Sequence, residues 1–247
     1  MIKFFRKIRQ NSLSEGKTRK YLKYAIGEII LVVIGILIAL QINNWNENNK
    51  LEAKKQDYYQ QLLADLKKDK EFSTKTIEQF NKLREEYDNY RNEFYSKNLT
   101  VKEVYEKLLN LNLESVSITF SSNTTETLQN SGEIVLIPSE IRNELIDLKN
   151  FQNTIKANSL ANNLQKNNIT QKIFSLFGNF DLQKRVTSQK DLESLLVTDE
   201  NRREIILGWE NMQGWKNFSE RNSIKQLQDL LEKIDIIKEK INTEIKK

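Results

Sequence analysis

An all-α fold is predicted by three features of this chain. Its 247 residues hold one proline (Pro138) and seven glycines, so helix breakers are rare. The stretch from Ala25 to Ile42 is almost wholly apolar. Beyond it, apolar residues recur at alternating spacings of three and four, the pattern of helices that pack along a seam. The expected architecture is a single N-terminal transmembrane helix continuing into a long helix, then an antiparallel helical bundle.

The apolar run reads AIGEIILVVIGILIALQI, interrupted only by Glu28 and Gln41 near its ends. Eighteen helical residues rise about 27 Å, close to the ~30 Å hydrocarbon thickness of a bilayer. Tyr21, Tyr24 and Trp45 flank it, where interfacial aromatics sit. A buried core helix and a cleaved signal peptide are the rival readings. The second is weakened by the exit, Gln41-Ile-Asn-Asn-Trp45, which lacks a small-x-small cleavage site. An uncleaved signal-anchor is therefore expected.

Charge orients the anchor. Residues 1–42 carry eight basic and two acidic side chains, a net +6; the remainder carries 31 basic against 32 acidic, a net −1. The basic residues precede the apolar run, and none follows until Lys50. The positive-inside rule then gives a basic cytoplasmic tail over 1–23, a transmembrane helix over 24–44 and an extracytoplasmic bundle over 45–247. A near-neutral large domain has no field to attract nucleic acid. Phe4, Phe5 and Ile8 amid Lys3, Arg6, Lys7 and Arg9 could form a short helix on the anionic leaflet, or the charges could only set topology.

Within the run, Glu28, Gly35 and Ala39 fall within about 20° of one stripe at 100° per residue. A small-x-x-x-small pattern with a carboxylate on the same face suits a helix–helix interface, although chance produces such patterns often. The expected partners are lipid and either a second copy or an envelope protein.

The N-terminal sequence FFRKIRQ, the serine-rich SLSEG turn and YAIGEIILVVIGILIALQINNWNE resemble a Bacteroidota family of single-pass membrane proteins built on a domain of unknown function. The later stretch TLQNSG, IVLI and EIRNELIDL resembles it more loosely. The resemblance implies a cytoplasmic-membrane protein and supplies no activity or catalytic residue.

From Trp45 to Lys97 there is neither glycine nor proline. Phe80, Leu83, Tyr87, Tyr90 and Phe94 keep a heptad seam, and Tyr59, Leu62, Leu66 and Ile77 extend it, with polar residues at some seam sites. Thr100-x-x-Glu103 is a capping box opening a helix at Val101. Val116, Ile118 and Phe120 alternate, as in a brief extended piece. Asn123-x-x-Glu126 would cap a short helix ended by Gly132. The apolar Ile134–Ile137 has no assignable type. Pro138-Ser139 opens a helix through Ile141, Leu145, Leu148 and Ile155 to Phe177, with Gly178 as stop. A C-terminal helix places Ile224, Leu227, Leu231, Ile234, Ile241 and Ile245 on its seam, with Lys238 as one polar member.

Chemistry-bearing constellations are few. With no histidine and no cysteine, the commonest general base, metal ligand and thiol nucleophile are absent. Carboxylate pairs, a Ser–Lys dyad or an Asp/Glu-held metal remain conceivable, but charges such as Lys67, Asp69 and Lys70 fall at spacings typical of solvated faces. No phosphate-binding glycine loop occurs. No catalytic residue, cofactor site or metal site is inferred, and no enzyme is expected. Trp209 and Trp215, in the repeat Gly-Trp-x-Asn, read either as a partner surface or as buried anchors beside glycines that allow close packing. Glu126, Asn130, Ser131 and Gly132 read either as a polar pocket or as a cap and turn. The expected function is a membrane-anchored interaction or scaffold module. The alternative is a sensor of an extracytoplasmic ligand, which would need a partner subunit because the short tail cannot fold alone.

Overall fold

The computed structural model describes residues 18–121, 123–178, 182, 185–186, 188–196 and 199–246. The suggested helix at Phe4–Arg9 lies outside them. The described residues are overwhelmingly helical and include no strand. Helix α1 is Thr18–Ser96, α2 is Val101–Asn110 and α3 is Asn123–Ser131. A 3-10 turn over Glu133–Leu136 precedes α4, Ser139–Phe177. Helix α5 is Lys190–Leu196, a short element the sequence reading did not separate, and α6 is Asp199–Ile245. The chain divides into two compact units, Met1–Asp57 and Tyr58–Lys247.

The described residues of the first unit, 18–57, are one stretch of helix. It contains the candidate membrane span, and none of the apolar span is buried. Ile29, Leu31 and Leu37 are each about 60% exposed (62%, 64% and 58%). A core helix of a soluble protein would cover such residues. Residues 45–57, grouped with the bundle from sequence, are helical and mostly exposed.

The second unit is a bundle of α1 from Tyr58 onward, α4 and α6, dressed by the smaller elements. Helix α6 runs antiparallel to α1, as Lys70–Asp235 (2.6 Å) and Arg84–Asn217 (3.0 Å) show. It also runs antiparallel to α4, through Lys240–Glu144 (2.5 Å) and Trp215–Asn162 (3.4 Å). Helices α1 and α4 therefore run the same way, and the chain must return between them. That return is α2 and an extended segment over 111–121. Ile118 is buried, Val116 and Phe120 are partly buried, and Ser115, Ser117 and Thr119 are exposed. The alternation seen in the sequence is real, but it lays one edge of an unpaired strap on helices.

Two hydrophobic clusters hold the bundle. One gathers Tyr59, Leu62, Leu66, Ile141, Leu145, Leu148, Leu227, Leu230 and Ile234; the other gathers Tyr87, Tyr90, Val104, Leu108, Ile173, Trp209 and Met212. Such burial is the main source of stability. Helices α4 and α6 approach closely at Gly208, where a Cβ would stand 2.7 Å from Ile173 Cγ1. Gly214 has open space around its Cβ position, so only the first glycine of the tryptophan repeat serves close packing.

Several local expectations hold. The capping box forms: Glu103 N donates to Thr100 Oγ1 (3.3 Å) and Thr100 N to Glu103 Oε2 (2.7 Å). Gly132 adopts φ 74°, the left-handed region that glycine tolerates, and Gly178 ends α4. Glu126 pairs with Lys149 at 3.3 Å, and Ser131 Oγ bonds the Leu128 carbonyl and accepts from Glu133 N, so that polar group is a cap and turn.

Three expectations need correction. The α6 seam uses Leu230 and Ile237, both buried, rather than Leu231 and Lys238. Phe94 is 45% exposed, leaving Tyr90 as the last buried seam residue, with Phe94 edge-on against it at 5.2 Å. Asp69 is not on a solvated face; it is 1% exposed.

Candidate functional site

The polar seam positions of the three long helices carry the bundle's chemistry. In α1 the buried residues are Tyr59, Leu62, Leu66, Asp69, Ser73, Thr76, Phe80, Leu83, Tyr87 and Tyr90, an unbroken alternation of three and four. In α4 the same alternation places Gln152, Ser159 and Lys166 among Ile141, Leu145, Leu148, Ile155 and Ile173. In α6 it places Lys216, Ser219 and Ser223 between Met212 and Leu227. A polar belt therefore crosses the core, and buried polar groups need partners.

At one part of the belt the partners form a clasp. Asp69 Oδ1 accepts from Ser121 N at 2.8 Å, and its Oδ2 accepts from Gln152 Nε2 at 2.8 Å. One turn earlier Asp65 Oδ2 accepts from Thr124 N (3.0 Å) and Thr124 Oγ1 (2.7 Å). Two aspartates of α1 thus hold the end of the strap and the start of α3. Asp65 takes a backbone N–H of α3's first turn, where a carboxylate is favoured by the helix dipole. Asn123, expected as the cap, lies inside the helix instead.

The other part is a cleft lined by Phe80, Glu114, Ser115, Val116, Ser159, Asn162, Asn163, Lys166, Lys216, Ser219, Glu220 and Ser223. It holds about 20 Å³ of space, room for one water-sized species. Lys166 Nζ donates to the Leu113 carbonyl at 2.8 Å and to Ser115 Oγ. Burial, helped by the charge of Lys216, pulls its ammonium down to about 8 from the usual 10.5. Lys216 and Glu220 pair at 3.1 Å with side chains 5% and 7% exposed. Burial pushes the Glu220 carboxyl up, against the opposing pull of Lys216. Nearby, Glu210 of α6 accepts from the Tyr87 hydroxyl at 3.4 Å and from that of Tyr90, and both phenols are raised, first by burial.

The residues singled out from sequence fare unevenly. Trp209 is fully buried, stacked edge-on against Phe174 at 6.5 Å, so it cannot form a partner surface and is an anchor. Trp215 is half-buried beside exposed Phe218 and donates to the Asn162 carbonyl. Gly35 and Ala39 are exposed, with no atom within 4 Å of the Gly35 Cβ position, and Glu28 is half-exposed. No group of acidic side chains suited to a metal occurs among the described residues. The belt itself was missed, because its members are far apart in sequence. The available signal was the polar residues at seam spacing in all three helices.

Fold and site together define a helical-bundle protein with one helix apolar enough to cross a membrane. It belongs to the family of unknown function DUF6090, which matches residues 28–154. No curated protein and no solved structure matches the chain. The matched stretch holds the whole Asp65–Asp69 clasp, including Ser121, Thr124 and Gln152, and stops short of Lys166, Lys216 and Glu220.

Proposed function

We propose that the chain is a membrane-anchored scaffold, with its N-terminus in the cytoplasm and its bundle on the outer side of a bacterial cytoplasmic membrane, where it binds a second copy or an envelope protein and catalyses no reaction. One observation carries this reading: an apolar helical segment long enough to span a bilayer has no cover among the described residues. Such a surface requires lipid or another apolar helix. The excess of positive charge before the segment supports the orientation. The exposed Gly35 and Ala39, on one stripe with Glu28, support association between helices in the bilayer. A ligand-sensing role is favoured by the Lys166 cleft alone.

A reporter active only outside the cytoplasm, fused after Lys247, is expected to be active; an inactive but stable fusion would reverse the orientation. Crosslinking in intact membranes is expected to capture a discrete partner or oligomer, with Gly35→Ile weakening self-association. Ser115 beside Lys166 is the pairing a Ser–Lys nucleophile uses. A fluorophosphonate probe is nevertheless expected to leave Ser115 unlabelled, and stoichiometric labelling would make this a hydrolase.

A further inference from the structure

Two features of α6 are unfavourable for the bundle and unexplained by its packing. Phe218 is 57% exposed, with the half-buried ring of Trp215 beside it at 6.0 Å and 45°. Gly214 lies inside the helix, where glycine is a weaker helix former than alanine, yet nothing stands within 4 Å of its Cβ position. The two features coincide, because residues four apart are neighbours on a helix surface. At 100° per residue Asn211, Trp215, Phe218 and Asn222 fall within an arc of about 60°. Both asparagines are exposed. Trp215 Nε1 donates to the Asn162 carbonyl at 3.4 Å, which fixes the indole against α4. Asn158 and Gln165 of α4, exposed and about one turn either side of Asn162, extend the surround of amides. No charged side chain falls in the arc between Asn211 and Asn222. Lys216 and Glu220 are buried and paired at 3.1 Å, and Arg221 lies about 60° round the helix from Phe218.

We propose that this face of α6 binds a neutral carbohydrate, with pyranose rings lying on Trp215 and Phe218 and hydroxyls meeting the surrounding amides. The C–H bonds of a pyranose face carry partial positive charge and suit the negative face of an aromatic ring. Amide side chains both donate and accept, as sugar hydroxyls do. Charge complementarity selects the class: an ionic partner finds no counter-charge between the rings, whereas a neutral, hydroxyl-rich one needs none. Gly214 leaves clearance for the sugar beside Phe218. This inference goes beyond the scaffold reading and does not depend on it.

The test uses the full-length protein in a polyoxyethylene detergent, which has no sugar head group, with cellotetraose and N-acetylchitotetraose as probes, read by saturation-transfer NMR. Saturable transfer to the ring C–H protons of at least one probe is expected, with a Kd on the order of 1 mM, and none to the open-chain polyol sorbitol. Trp215→Ala should weaken binding about tenfold or more. Should that variant not fold, Phe218→Ala, at an exposed site, is expected to weaken binding about fivefold with the melting temperature unchanged. Gly214→Leu should block binding by filling the clearance beside Phe218. Absence of saturable transfer to either probe would overturn the proposal. So would transfer to sorbitol or tetragalacturonate as strong as to the neutral oligosaccharides, or unchanged binding in folded Phe218→Ala and Gly214→Leu proteins. Loss of self-association in Phe218→Ala, with no sugar bound by the native chain, would assign the face to protein contact instead.

Discussion

Helix α1 contains two regions built on opposite rules. From Ala25 to Ile42 it is apolar apart from Glu28 and Gln41, and none of it is buried. From Tyr59 to Tyr90 it buries one narrow stripe at alternating spacings of three and four, and it keeps that stripe even where the residues are Asp69, Ser73 and Thr76. Among the described residues nothing covers the first region, which is the exposure that the proposed lipid contact would relieve. The second packs within the chain, and its buried carboxylate finds hydrogen-bond donors there. Exposed apolar surface supports the proposed contact with lipid, whereas the buried carboxylate of Asp69 belongs to an internal network.

The same substitution in the two regions separates these rules most sharply. Leu66→Ala, at a 2% exposed site, is expected to cost about 2–5 kcal/mol in denaturation of the bundle. Leu37→Ala, at a 58% exposed site, should leave that transition unchanged. Equal effects would mean that the apolar segment packs against protein.

A smaller effect is expected at the clasp. Asp69→Ala leaves Ser121 N and Gln152 Nε2 without their acceptor and should cost about 1–3 kcal/mol. Loss of protection at residues 116–124 in hydrogen exchange should accompany it. If Asp69→Ala leaves exchange there unaltered, the aspartate does not hold the strap.

The subtlest effect is a pH dependence. The native Lys166 ammonium titrates at about 8 and the unfolded one near 10.5. Between those values the unfolded chain binds more protons, so this group makes stability rise with pH across that window. Lys166→Met should remove that rise, and its advantage over the native chain should be greatest below pH 8 and shrink towards pH 10.5. A native profile identical to that of Lys166→Met would show that the ammonium is not desolvated.

Much of this was legible in the sequence. The anchor announced itself through length and uniform apolarity, and the capping box at Thr100 and the stops at Gly132 and Gly178 follow from local backbone chemistry. The α6 register was ambiguous because the apolar doublets Leu230–Leu231 and Ile236–Ile237 offer two faces, and only packing against α4 and α1 selects between them. Asp69 was misplaced because a charged residue between two lysines resembles a solvated face; its burial depends on Ser121 and Gln152, 52 and 83 residues away. The Lys166 cleft joins four segments that no local pattern links. It was visible only as a recurrence of serine and lysine where the seams call for apolar residues.

Alkaline carbonate extraction of membranes carrying the full-length protein tests the central claim most directly. The account expects the protein to stay in the pellet, and a chain lacking residues 25–42 to be released to the supernatant. Release of the intact protein by carbonate would contradict a helix embedded in lipid.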